Sequence, residues 1–126
     1  MTEDRTLIDS LVGALPQAAV VVDTASDRVA GWNDTAAKLL TGRTGAPGDM
    51  RFSRLLGASL PKFVVFMEEV DHRGESWTRD VGLTSLEGQK VRCEIRARPL
   101  PDHPGLVMLV LTDLTAFERR TAMVET

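Results

Sequence analysis

The sequence predicts an α+β domain in which helices lie on an antiparallel sheet. Three observations carry this reading. Two unbroken apolar runs, Ala18–Val22 and Leu106–Leu111, have the length and the Val and Leu content of strands covered on both faces. The stretch Val91, Cys93, Ile95, Ala97 alternates with Arg92, Glu94, Arg96, Arg98, which is the period-two pattern of a strand with one dry face and one wet face. Stripes at helical spacing precede the first run and fill the middle of the chain.

Composition narrows the class. A chain of 126 residues, 43% hydrophobic and 26% charged, suits one domain with its own core. A net charge of −3 disfavours bulk binding to nucleic acid or to an acidic membrane. The single cysteine, Cys93, excludes an internal disulfide and a cysteine-rich zinc site. No apolar run approaches the roughly 20 residues of a membrane helix, and no signal-peptide pattern opens the chain. The expectation is a cytoplasmic domain without a membrane partner and without direct nucleic-acid binding.

The elements follow in order. Residues 1–16 form an amphipathic helix: Thr2 suits its N-cap, and Pro16 stops it. Leu7, Ile8, Leu11, Val12 and Leu15 make one apolar stripe, expected to pack partly on its own sheet and partly on a second copy. Ala18–Asp23 is a strand. A turn at Ser26-Asp27 leads to a second strand, Arg28–Trp32. Asn33 caps a short helix that Gly42 ends in the left-handed C′ position. Residues 43–50 are a loop, and Phe52, Leu55 and Leu56 mark one helical turn. Ser59 is expected to cap the next helix, with Pro61 in its first turn. Leu60, Phe63, Val64, Met67 and Val70 are expected on its inner face.

Trp77, Arg79, Val81 and Leu83 then alternate as a strand, and Glu87-Gly88 turns the chain into the strand of Val91–Ala97. Pro99, Pro101, Asp102, Pro104 and Gly105 mark the start of the last strand. Because the two runs apolar on both faces demand the most cover, they should pair at the sheet centre. Residues 17–113 are thus the core, and 114–126 begin an outgoing helix.

With these residues in place, the chain resembles a PAS domain. Leu15-Pro16 precedes Ala19-Val20-Val21-Val22-Asp23; a strand ends in Trp32-Asn33, where Asn33 opens a helix; Glu87-Gly88 sits in the later hairpin. Asp113-Leu114-Thr115 is similar to the Asp-x-Thr signature that joins PAS domains to output helices. The resemblance implies a five-stranded antiparallel sheet with the first and last strands paired. Short helices would cover one face and the N-terminal helix the other. It implies a sensory and dimerisation module regulating an attached histidine kinase or transcriptional regulator, with or without a small-molecule ligand. The alternative within the family is a ligand-free module for protein–protein interaction.

Candidate residues follow from this frame. Phe63, Met67, Val81, Cys93 and Ile95 should converge between the long helix and the sheet as the lining of a ligand pocket. Asp113, Thr115 and Glu118 should transmit the signal, since Thr115 and Glu118 have capping-box spacing. Leu114, Phe117, Thr121 and Val124 continue it as the start of a coiled-coil seam, and an output domain is expected beyond residue 126.

No cofactor is required. His72 stands at the end of the long helix, whereas haem-binding relatives take a histidine from further inside it; His103 lies in the proline-rich turn. Light-oxygen-voltage relatives carry a cysteine just after the Asn-led helix, and this chain has none there. Tyrosine is absent altogether, which removes the phenolate contact of photoactive yellow protein relatives. Glu68-Glu69, adjacent on a helix, point to different faces, and no nucleophile–base pair, phosphate loop or metal spacing is visible. The chain therefore reads as no enzyme. A hot-dog thioesterase, the rival fold, wants one long central helix rather than several short ones. Arg92, Arg96 and Arg98 form a stripe that Glu94 interrupts, and this reads as a solvated strand face.

Overall fold

A computed structural model, which describes Ile8 and residues 17–114, has a five-stranded antiparallel sheet in the order β2-β1-β7-β6-β3. β1 is Ala18–Asp23, β2 Arg28–Trp32, β3 Ser76–Thr78, β6 Cys93–Pro99 and β7 Leu106–Asp113. A separate two-stranded hairpin pairs β4 (Leu83–Thr84) with β5 (Lys90–Val91). The two runs apolar on both faces do pair at the centre, with Val20 opposite Leu109 and Val22 opposite Val107.

Their alternation divides two clusters. Val20, Val22, Leu109 and Leu111 face the helices, while Ala19, Val21 and Met108 face the other way. Ile8 is helical, 6% exposed and packed in that second cluster. The rest of the expected N-terminal stripe, Leu7, Leu11, Val12 and Leu15, lies outside the described residues.

Helices cover the inner face. Asn33 caps the helix Asp34–Thr41, and Gly42 ends it at φ 80°. Two 3-10 turns, Phe52–Leu55 and Gly57–Ser59, run straight into the long helix Leu60–Arg73. That continuity corrects the expected Ser59 cap. Ser59 has φ −85° and ψ 0° and makes no capping bond. Its hydroxyl accepts instead from the Gly82 N–H at 3.1 Å.

The long helix is also rotated from its expected phase. Its buried residues are Phe63, Phe66 and Val70. Met67 is partly buried at the cluster margin, and Leu60 and Val64 stand 41% and 49% exposed. Phe66, left out of the expected stripe, takes the inner position because its ring covers more area than a valine.

Two strands are shorter than their alternation suggests. The expected strand from Trp77 to Leu83 stops at Thr78. There the Thr78 Oγ1 accepts from the Asp80 N–H at 3.1 Å, bending the chain. The segment 79–82 then brings Val81 and Leu83 inward, both buried. On the return, Val91 pairs with Leu83, and Cys93 with Asp113 of β7. One unbroken alternation thus serves two sheets, because burial rather than pairing sets the period.

The helix Asp34–Thr41 and the β4–β5 hairpin are tied together. The Leu86 N–H donates to the Leu40 carbonyl at 2.8 Å, and Glu87 lies over Gly42. A Cβ on Gly42 would sit 1.7 Å from the Glu87 Oε1. Gly42→Ala is therefore expected to lower stability by about 1–2 kcal/mol, from the left-handed backbone alone. Combining it with Glu87→Ala should relieve the clash but not that backbone cost. Chemical denaturation of the single and double variants checks both parts.

Candidate ligand cleft and signal exit

Beneath the long helix, Phe63, Val81, Cys93 and Ile95 meet in one buried cluster, with Met67 packed against its edge. The Phe63 ring also stacks, tilted, on Phe52 at 5.1 Å. The five residues are brought together, but they do not line one cleft. Cys93 is 2% exposed, and burial, reinforced by the nearby charge of Asp113, pushes its thiol from the ordinary 9.0 up to about 12. A thiol held so far from ionisation is a packing group at neutral pH.

The open space lies beside this cluster. A cleft of about 660 Å³ separates the flank of the long helix from the turns that close β1–β2 and β6–β7. That volume falls in the range of small-molecule sites. Phe63, Met67, Val22 and Val107 form its apolar walls, and Asp27, Ser53, Glu68 and Asp71 add polar groups. Cys93, Ile95 and Val81 are absent from it, so only Phe63 and Met67 of the expected lining contribute.

Asp27 and Ser53 went unnoticed in the sequence as site residues. Asp27 takes φ 59°, and its Oδ1 accepts from the Ser53 N–H at 3.1 Å. Its Oδ2 accepts the Ser53 hydroxyl in a close contact. This pins the Phe52–Leu55 turn to the β1–β2 turn. An aspartate at a turn, where the left-handed conformation is tolerated, was the available signal.

A second hollow of about 660 Å³ lies on the opposite sheet face, where Trp77, Arg96, Arg98 and Met108 are joined by Glu69, Arg73 and Glu75. Its charges are mixed and partly paired: Arg73 meets Glu69 at 3.0 Å. On the same face, Glu94 lies 3.8 Å from both Arg79 and Arg96. Glu94 therefore offsets part of the expected arginine stripe. Glu68, by contrast with its neighbour Glu69, turns to the cleft.

At the other end of β1, Asn33 is 8% exposed and joins three segments. Its Oδ1 accepts from the Ala19 N–H at 3.1 Å and the Ala36 N–H at 2.9 Å. Its Nδ2 donates to the Gln17 carbonyl at 2.7 Å. Asp113, expected to carry the signal outward, is the exposed last residue of β7, opposite Cys93. The Leu114 N–H donates to the Arg92 carbonyl at 2.8 Å, so the sheet holds the chain at least to that point. Thr115 and Glu118, with the proposed seam, lie outside the described residues. His72 is exposed at the end of the long helix, and His103 is half-buried in the β6–β7 turn. No described helix is long and apolar enough to cross a membrane.

The sheet order, the Asn-capped helix and the long helix laid on the inner face define a PAS fold, and comparison with known proteins agrees. The PAS domain of a Colwellia psychrerythraea protein superposes with a TM-score of 0.68 at 14% identity, covering 88% of this chain and 97% of that one. The Rhodobacter sphaeroides LOV protein gives 0.69 at 14% identity, covering 91% of this chain and 69% of that one. The chain has the PAS fold. Among curated proteins, the sensory histidine kinase/phosphatase NtrB of Rhodobacter capsulatus is 29% identical over 114 residues. The alignment covers 89% of this chain and 32% of that protein, so the chain spans about a third of this relative. No protein-family model matches the chain.

Proposed function

We propose that this chain is a cytoplasmic sensory and dimerisation PAS module that regulates an attached output domain, a histidine kinase or a transcriptional regulator. The observation that supports this reading most is the similarity to a sensory histidine kinase, extending over 89% of the chain but only 32% of the kinase.

The physical route for a signal is β7. It pairs with β1 on one side and β6 on the other. Its side chains enter both apolar clusters. A displacement on either sheet face therefore bears on the strand that leads out through Asp113. In this reading the stripe Leu7, Ile8, Leu11, Val12 and Leu15 supplies the homodimer contact. Thr115 and Glu118 cap the outgoing helix and set its angle to β7.

The test uses the full-length protein. Thr115→Ala removes a cap worth about 1 kcal/mol. That is too little to unfold the domain but enough to shift a balanced two-state output several-fold. Basal autophosphorylation or promoter output is expected to change while the melting curve stays nearly fixed. Unchanged output with a large loss of stability would leave Thr115 a structural residue and remove the proposed exit.

A further inference from the structure

The described walls of the cleft beside the long helix carry three carboxylates and no basic side chain. Asp27, Glu68 and Asp71 line it, and among the described residues none of its lining is Lys, Arg or His. Glu68 and Asp71 are three apart on the helix, a spacing that places both on the same side. Of the two basic residues in the last turn of the helix, His72 is not among the described lining residues and Arg73 is engaged with Glu69 at 3.0 Å. The Asp27 carboxylate keeps acceptor capacity beyond its two Ser53 bonds, since a carboxylate has about four lone-pair sites.

Apart from Thr24 and Ser53, the other described side chains of the cleft are apolar. Val22 and Val107 come from the two central strands, and Phe63 and Met67 from the helix. At the rim, Leu60 and Val64 of the same helix remain substantially exposed. An apolar body would cover this surface, and a positive group would lie among the carboxylates. An anionic ligand would meet three like charges and, among the described lining residues, no counter-charge.

We propose that this cleft binds a small organic cation with an apolar body, such as an alkylated amine. The inference deepens the sensory reading and rests on it for biological meaning, but the binding itself stands on the cleft. The cation would bridge the long helix and the β6–β7 turn, which carries Gly105 and Leu106 into the lining. It would thus touch the start of β7, whose far end is the signal exit.

Matched probes test this on the purified protein: hexyltrimethylammonium, hexanesulfonate and hexanol, followed by calorimetry and by NMR shift mapping. The cation is expected to bind with shifts at Phe63, Met67 and Val107. The sulfonate should bind at least roughly tenfold more weakly, and the preference should shrink as salt is added. Glu68→Gln combined with Asp71→Asn, both at exposed positions, should melt like the parent and lose most of the preference. Equal binding of the cation and either other probe, shifts confined to another surface, or no binding at millimolar concentration would overturn the proposal. The output assay on Thr115→Ala does not involve the cleft, so each reading can fail without the other.

Discussion

Replacing Asn33 by alanine is expected to destabilise the domain by about 3 kcal/mol. Removing the cap of the helix Asp34–Thr41 accounts for about 1 kcal/mol. The larger part comes from the Ala19 N–H, buried in β1 and left without its acceptor, at roughly 1–3 kcal/mol. The amide orientation is dictated chemically: two backbone N–H groups meet one atom and a carbonyl meets the other, so the first must be oxygen.

This gives a graded series. Asn33→Asp keeps an acceptor for Ala19 and Ala36 but replaces the donor to the Gln17 carbonyl by a second oxygen. It should fall between the parent and the alanine variant in denaturant midpoint. If aspartate costs as much as alanine, the donor to Gln17 rather than the shared acceptor is what holds β1 to the helix.

The second large effect is a loss of stability at high pH through Cys93. Its thiol ionises at about 9.0 when exposed and at about 12 in the fold. Below pH 9 both states hold the proton and the group is neutral to stability. Between those values the unfolded chain releases its proton while the native state retains it. Unfolding then becomes easier as pH rises, by about 1.4 kcal/mol per pH unit. The cause is first the burial of Cys93 and second its neighbour Asp113 across the β6–β7 register.

Other groups titrate in this range, so the measurement is a difference. The stability of wild-type protein relative to Cys93→Ala should decline from pH 9 to pH 11 on top of a constant packing offset. A pH-independent difference would mean that the thiol ionises in the fold as easily as outside it. The same burial makes native Cys93 slow to alkylate at neutral pH, in keeping with a side chain that fills the core.

The central pairing of β1 and β7 was legible because no other arrangement hides strands that are apolar on both faces. The Asn33 cap and the Gly42 terminus were legible because each rests on a local rule tying residue type to backbone conformation. The PAS resemblance rested on the same local pieces in order. Alternation was less informative about partners. Val91 and Cys93 share one apolar phase yet belong to different sheets, since side-chain period reports burial and not the identity of the paired strand.

The pocket depended most on tertiary structure. The sequence placed Phe63, Met67, Val81, Cys93 and Ile95 together, and four of them share one buried cluster with Met67 at its edge, but only Phe63 and Met67 line the cleft. The cleft formed instead where the rotation of the long helix left Met67 at the margin and where two turns stop short of it. That rotation was set by Phe66 outcompeting smaller neighbours for the core, and the Asp27–Ser53 tie joins residues 26 apart in the chain. By itself the sequence determined which residues seek burial, where the helices begin and end, and which strands must be central, because these follow from local conformation and from apolar area. Only the tertiary structure decided where packing closes and where it leaves a gap, because that depends on how side chains from distant segments fit one another.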